Sequence, residues 1–192
     1  MKTKILGLLG FLAIFGQQAN AAVVIDFVET GGNVQATLSG SVNLAALGSI
    51  FDPSAYPFNG FVASGGNIAF PNDFGTVYSI STPWTPFGSS GAFRFWNSSS
   101  GDSFAMYGNP VLGLPLNYVS GSSLSATGTL LGSSFAALGF TAGSYVTTQT
   151  NGGISETFTV NIGQQSVPEP GTLALLGFGL AGLGMARRRK AA

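Results

Sequence analysis

Apolar and polar positions alternate with a period of two along much of this chain, which is the repeat of a strand with one face buried. Val34-Gln35-Ala36-Thr37-Leu38-Ser39 is the clearest case, and with the β-branched stretch 23–29 across Thr30-Gly31-Gly32-Asn33 it predicts a hairpin. Residues 91–97 set Phe93 and Phe95 on one face and Arg94 with Trp96 on the other; after a Ser-rich turn, residues 102–107 predict the answering strand of a second hairpin. Residues 143–150 and 154–162, joined by Asn151-Gly152-Gly153, predict a third. Strands are also predicted at 118–120 and 123–131, and a single helical turn at 134–139, closed by Gly139. Between 50 and 87 the pattern breaks: Pro53, Pro57, Pro71, Pro83 and Pro86 alternate with aromatic residues, which predicts packed loops with short strands near 66–70 and 75–81. Turn signals at this spacing, with almost no helix, predict an all-β fold, a β-sandwich-like domain of short antiparallel strands over residues 22–163.

Two apolar runs do not alternate. Residues 5–15 follow Lys2 and Lys4 and precede Ala19-Asn20-Ala21, so residues 1–21 read as a signal peptide whose cleavage site is set by Ala19 and Ala21. Residues 172–186 carry no charge and predict a single transmembrane helix. At about 22 Å such a helix is short for roughly 30 Å of hydrocarbon, a gap that flanking residues and snorkelling arginines close. Arg187, Arg188, Arg189 and Lys190 then hold its C-terminal end in the cytoplasm. Just before the run stand Val167, Pro168, Glu169 and Pro170, and the two prolines forbid helix and keep this strip extended for an enzyme to grip. Residues 164–166 are a polar linker between the sandwich and this tail.

Together, the Val-Pro-Glu-Pro box, the Gly-rich apolar run and the terminal basic cluster over 167–190 resemble the PEP-CTERM sorting signal of Gram-negative bacteria. The resemblance implies that an exosortase reads the box in the membrane and removes the tail. It implies an exported protein that crosses the inner membrane and ends at the cell surface or in the extracellular matrix, tied to exopolysaccharide and biofilm. A tail anchor that is never cut obeys the same membrane physics, and only the box separates the two. Residues 121–163 look like the ectodomain end of PEP-CTERM proteins of unassigned function, which brings no catalytic residue. The same tail also occurs in proteins carrying an ice-binding label. Such a face would need ranks of Thr on a flat sheet, and Thr127 with Thr129 and Thr157 with Thr159 are isolated pairs in the sequence.

Charge narrows the partners. Of seven basic residues all but Arg94 lie in the two signals, whereas Asp26, Glu29, Asp52, Asp73, Asp102 and Glu156 lie between them, so that segment carries one positive and six negative charges, a net −5. Nucleic acid is thereby excluded, since its binding rests on clustered Lys and Arg. With no cysteine and no histidine, the usual zinc site, a thiol nucleophile and an imidazole-dependent triad are excluded too; no metal or cofactor is implied. A pair of carboxylates could act on polysaccharide, but no spacing selects two of the six. A glycan contact is better supported, with Trp96 as platform and Arg94 and Asp102 as polar partners, although large aromatics usually fill cores. The sequence therefore reads as a non-enzymatic exported surface or matrix protein, with a glycan-binding module, a polysaccharide-active enzyme and an ice-binding surface protein as the alternatives.

Overall fold

A computed structural model describes residues 22–51, 59–71, 75–108 and 111–163. The signal peptide with its cleavage site, the linker, the Pro-Glu-Pro box, the apolar run and the basic cluster lie outside the described residues. The described residues form thirteen strands: β1 (Ala22–Thr30), β2 (Asn33–Ser41), β3 (Ile50–Phe51), β4 (Gly60–Val62), β5 (Asn67–Ala69), β6 (Thr76–Ser79), β7 (Arg94–Phe95), β8 (Ser98–Gly101), β9 (Ala105–Tyr107), β10 (Val111–Leu114), β11 (Ser123–Leu130), β12 (Gly143–Asn151) and β13 (Ile154–Ile162). They form a six-stranded sheet in the order β12-β13-β1-β2-β11-β8 and a seven-stranded sheet in the order β3-β6-β10-β9-β5-β4-β7. Among the described residues the helical elements are two short 3-10 turns, at Leu44–Ala46 and Ala63–Gly65.

The period-two pattern decides which side faces in. On β2 Val34, Ala36 and Leu38 are buried while Gln35, Thr37 and Ser39 are exposed, and β11 follows with Leu124, Ala126 and Gly128 inward. The β1–β2 hairpin turns through Gly31 and Gly32 at φ +58 and +74, and the β12–β13 hairpin through Gly152 and Gly153 at φ +57 and +82. Two successive positive φ values suit a tight turn that matches strand twist, and glycine adopts them without steric cost. The strands predicted near 66–70 and 75–81 appear as β5 and β6. The turn at 134–139 is also present, with Leu138 N–H donating to Ser134 O at 3.0 Å.

Three expectations are corrected. The sheets are not wholly antiparallel: β1 pairs with β13 in parallel, from Ala22 opposite Thr157 to Phe27 opposite Ile162. Alternation fixes a strand's faces and leaves its neighbour's direction open, so the sequence carried no sign of this. Residues 118–120 form no strand; they belong to the connection between β10 and β11. Nor do residues 91–107 form a hairpin. Instead β7 pairs with β4, β8 with β11, and β9 with β5 and β10.

The chain here changes sheets within one residue. Trp96 N–H donates to Asn59 O at 3.1 Å beside the seven-stranded sheet, and Asn97 N–H donates to Thr129 O at 2.8 Å on the six-stranded one. This crossing breaks the predicted alternation, for Arg94 is exposed while Trp96 is not. Phe93 and Phe95 are 59% and 64% exposed, whereas Trp96 is buried at 6%.

The core is aromatic. Phe27 meets Phe61 and Phe140 edge-on, with ring centroids at 5.8 and 5.0 Å, and lies 5.7 Å from Phe87 and 6.1 Å from Trp96. The Trp96 ring has room only because residue 128 is glycine, for a Cβ there would stand 2.5 Å from the indole. Gly128→Ala should therefore lower unfolding free energy by about 1–3 kcal/mol, the usual cost of overpacking. Guanidinium denaturation of the processed protein measures it, and an unchanged midpoint would contradict the placement of Trp96.

Candidate functional site

The residues nominated for glycan contact do not meet. Trp96 donates its Nε1–H to Ala69 O at 2.8 Å and stacks on Phe70 at 5.8 Å, so its ring is enclosed and offers no platform. Burial with a satisfied indole N–H is the ordinary state of such a residue. Arg94 is exposed on β7, at the edge of the seven-stranded sheet. Asp102 follows β8 on the other sheet, where its Oδ2 accepts from Ser125 N–H and its own N–H donates to Ser125 O, both at 2.8 Å. It closes the end of the β8–β11 ladder. Trp84 is buried as well, with its Nε1–H donating to Val111 O.

The described carboxylates are all engaged in holding the fold. Asp26 Oδ1 accepts from Asn161 Nδ2 at 2.8 Å, Glu29 Oε2 from Phe135 N–H at 2.6 Å, and Glu156 Oε2 from Asn43 N–H at 2.6 Å. Among the described residues no three acidic side chains gather. Glu156 points inward on β13 and is only 1% exposed. Its Oε2 contact anchors the start of the Leu44–Ala46 turn, and its Oε1 accepts from Thr157 N–H at 3.1 Å. Burial pushes its carboxyl above the ordinary range, opposed in part by the N–H groups of Asn43 and Thr157. Tyr118 is raised too, first by burial, while the Val42 N–H that its hydroxyl accepts at 2.8 Å pulls the other way.

Other polar side chains, which the sequence pattern did not single out, close the far side of the sandwich. Gln149 on β12 is fully buried; its Oε1 accepts from Ser81 and Thr82 N–H at 3.0 and 2.9 Å, and its Nε2 donates to Thr82 O at 2.7 Å. Next along the strand, Thr147 Oγ1 accepts from Thr85 N–H at 3.0 Å. The connection after β6 is thereby laced over the β12 edge. The one sign in the sequence is that Gln149 falls in phase with buried positions. A cleft of about 160 Å³ lies beside this seam, lined by residues that include Ala46, Ser79, Ser81 and Asn151. Asn151 donates from Nδ2 to Ala45 O and Leu47 O there, so its amide already serves the fold.

What the fold does assemble is the outer face of the six-stranded sheet. Register places Ser100, Thr127, Thr37, Asp26, Asn161 and Ser144 in one row across it, and Ser125, Ser39, Val24, Thr159 and Val146 in the next. A further row sets Thr157 beside Thr148. The threonine pairs that look isolated in the sequence thus join one surface, mixed with serine and valine. Among the described outward positions of these strands Asp26 is the one charged residue, and it is bonded to Asn161. Apart from Asp26 these outward positions are uncharged, and their short hydroxyls stand about 4.8 Å apart between strands.

Residues 166–190 match the family model described as the PEP-CTERM protein-sorting motif. No curated protein and no solved structure matches the chain. The motif implies an exosortase-sorted, exported protein of a Gram-negative bacterium that is anchored in the membrane in transit.

One prediction concerns Glu156. Its raised value means that the folded chain holds this proton more tightly than the unfolded chain does. Its contribution to stability is therefore greatest below the ordinary value of 4.5 and declines as pH rises through the raised folded value. Glu156→Gln should remove that decline. Denaturation midpoints recorded from acid to neutral pH should fall for the wild type relative to the variant, and parallel profiles would show that Glu156 titrates as it does in the unfolded chain.

Proposed function

We propose that the protein is a non-enzymatic surface or matrix component that, once its tail is removed, associates with extracellular polysaccharide. The observation that carries this reading is the hydroxyl-lined face of the six-stranded sheet, on which Asp26, bonded to Asn161, is the one charged side chain among the described outward positions. Short hydroxyls in rows form hydrogen bonds with the hydroxyls of a glycan chain laid across them, and water can bridge where the fit is loose. Many weak contacts of this kind add up along a polymer without a deep pocket. The non-enzymatic part is supported by the carboxylates, since the four in the described residues each accept a hydrogen bond that ties distant segments together. An acid and a base for glycoside chemistry need carboxyls that face a common substrate.

Two experiments test the parts separately. Replacing Pro168-Glu169-Pro170 with alanines should leave the tail on the protein, seen as an intact mass that retains Arg187 to Lys190; a tail removed as before would refute sorting. For the matrix role, Thr37→Glu with Ser125→Glu places two charges on neighbouring rows of the face. The double variant should fold normally by circular dichroism yet lose about tenfold in affinity for matrix polysaccharide, about 1.4 kcal/mol. Undiminished co-sedimentation with the matrix would remove the face from the reading.

A further inference from the structure

The parallel pairing of β1 with β13 fixes which end of the sandwich the sorting tail leaves. β13 runs from Ile154 to Ile162, and Gly163 N–H donates to Phe27 O at 3.0 Å, so the tail departs beside the end of β1. The β1–β2 turn lies at that same end, together with the loop after β11, where Ser133 N–H donates to Gly32 O and Gly132 N–H to Asn33 Oδ1, both at 3.0 Å. The β12–β13 turn lies at the other end, a full strand away.

Length then decides orientation. Thr172, where the apolar run begins, is nine positions beyond Gly163, so the two can be at most about 30 Å apart. β13 is itself nine residues long, about 30 Å. An inverted domain, standing end-on with the β12–β13 turn on the bilayer, would need the tail to double back, fully extended, along its whole length. Composition agrees with distance. Residues 30–33 and 131–140 carry no charge, and the neighbouring Glu29 carboxylate is bonded to Phe135 N–H. Leu131 projects from this end, 58% exposed. Apart from Glu29, whose carboxylate is held by that bond to Phe135, these segments are uncharged and carry an apolar side chain, which suits them to a phospholipid headgroup surface.

We propose that this end of the sandwich, centred on Leu131 and the Gly31-Gly32 turn, rests on the phospholipid headgroup surface for as long as the protein keeps its tail. The proposal relies on the sorting motif as a membrane tether and adds which face lies against the bilayer. The hydroxyl-lined face then stands upright, side-on to the membrane.

The chain contains no cysteine, which gives a clean test. Leu131→Cys and Ile154→Cys are each introduced into the full chain carrying alanines at Pro168, Glu169 and Pro170, and spheroplasts are treated with a bulky, membrane-impermeant maleimide. Both sites are exposed in the fold, at 58% and 42%. In the tethered protein Leu131→Cys should react several-fold more slowly than Ile154→Cys, and in the same variants of the processed protein the two should react alike. Equal rates in the tethered form would overturn the proposal. So would a slow Leu131→Cys in the processed form, because the fold and not the membrane would then be the shield. A tethered variant whose intact mass shows no tail would overturn the sorting reading first, and this one with it.

Discussion

The structure depends on burying aromatic rings between two sheets that no disulfide joins. Phe27, Phe61, Phe87, Phe140 and Trp96 converge at centroid distances of 5.0 to 6.1 Å. Each such ring removes about 150–250 Å² from water, and edge-on pairs contribute about 0.5–1.5 kcal/mol beyond that burial. An exported domain of this size without cysteine needs such a core. The rings come from strands and from irregular segments alike: Phe27 from β1 and Phe61 from β4, but Phe87 and Phe140 from connections. The proline-broken segment before Gly88 is thus part of the core and does not merely cover it.

Around that core the two open sides of the sandwich are closed differently. On one side the backbone itself crosses, at Trp96, with amide bonds to both sheets on successive residues. On the other the closure is made by side chains, Gln149 and Thr147 reaching the amides of Ser81, Thr82 and Thr85. A buried amide side chain is stable only when its donors and acceptors are met, and Gln149 has partners on both of its polar atoms. Carboxylates do the same work: Glu29, Asp102 and Glu156 accept from backbone N–H groups, and Asp26, on the broad sheet face, accepts from the Asn161 amide.

Legibility in the sequence followed the reach of each signal. Tight hairpins were readable because their cause is local: Gly31-Gly32 and Gly152-Gly153 supply the turn, and Val34, Ala36 and Leu38 supply the inward face. The facing of residues 93–96 was not. Two aromatics stand at one phase and one at the other, so alternation offers two solutions, and the choice of Trp96 depends on Ala69 O and on the space over Gly128. Nearness in sequence misleads for the same reason at Arg94 and Asp102, which belong to different sheets. The hydroxyl-lined face was visible only as scattered threonines, because its rows are built from strands far apart in the chain. The sorting tail, by contrast, is a contiguous motif and needs no fold to be read.

The parallel seam between the first strand and the last also sets an order of events. Of the described strands β1 is made first and β13 last, and an interior ladder of the six-stranded sheet joins them. Until Ile162 has crossed the membrane, β1 and β2 present an unpaired edge, and contacts of such long sequence separation form slowly. The sorting motif begins at residue 166, within a few residues of the strand that completes the sheet. The last strand and the processing site therefore reach the membrane almost together, before the slow pairing of β13 with β1 is complete. An enzyme that cut as soon as its box appeared would release chains whose last strand had not yet docked.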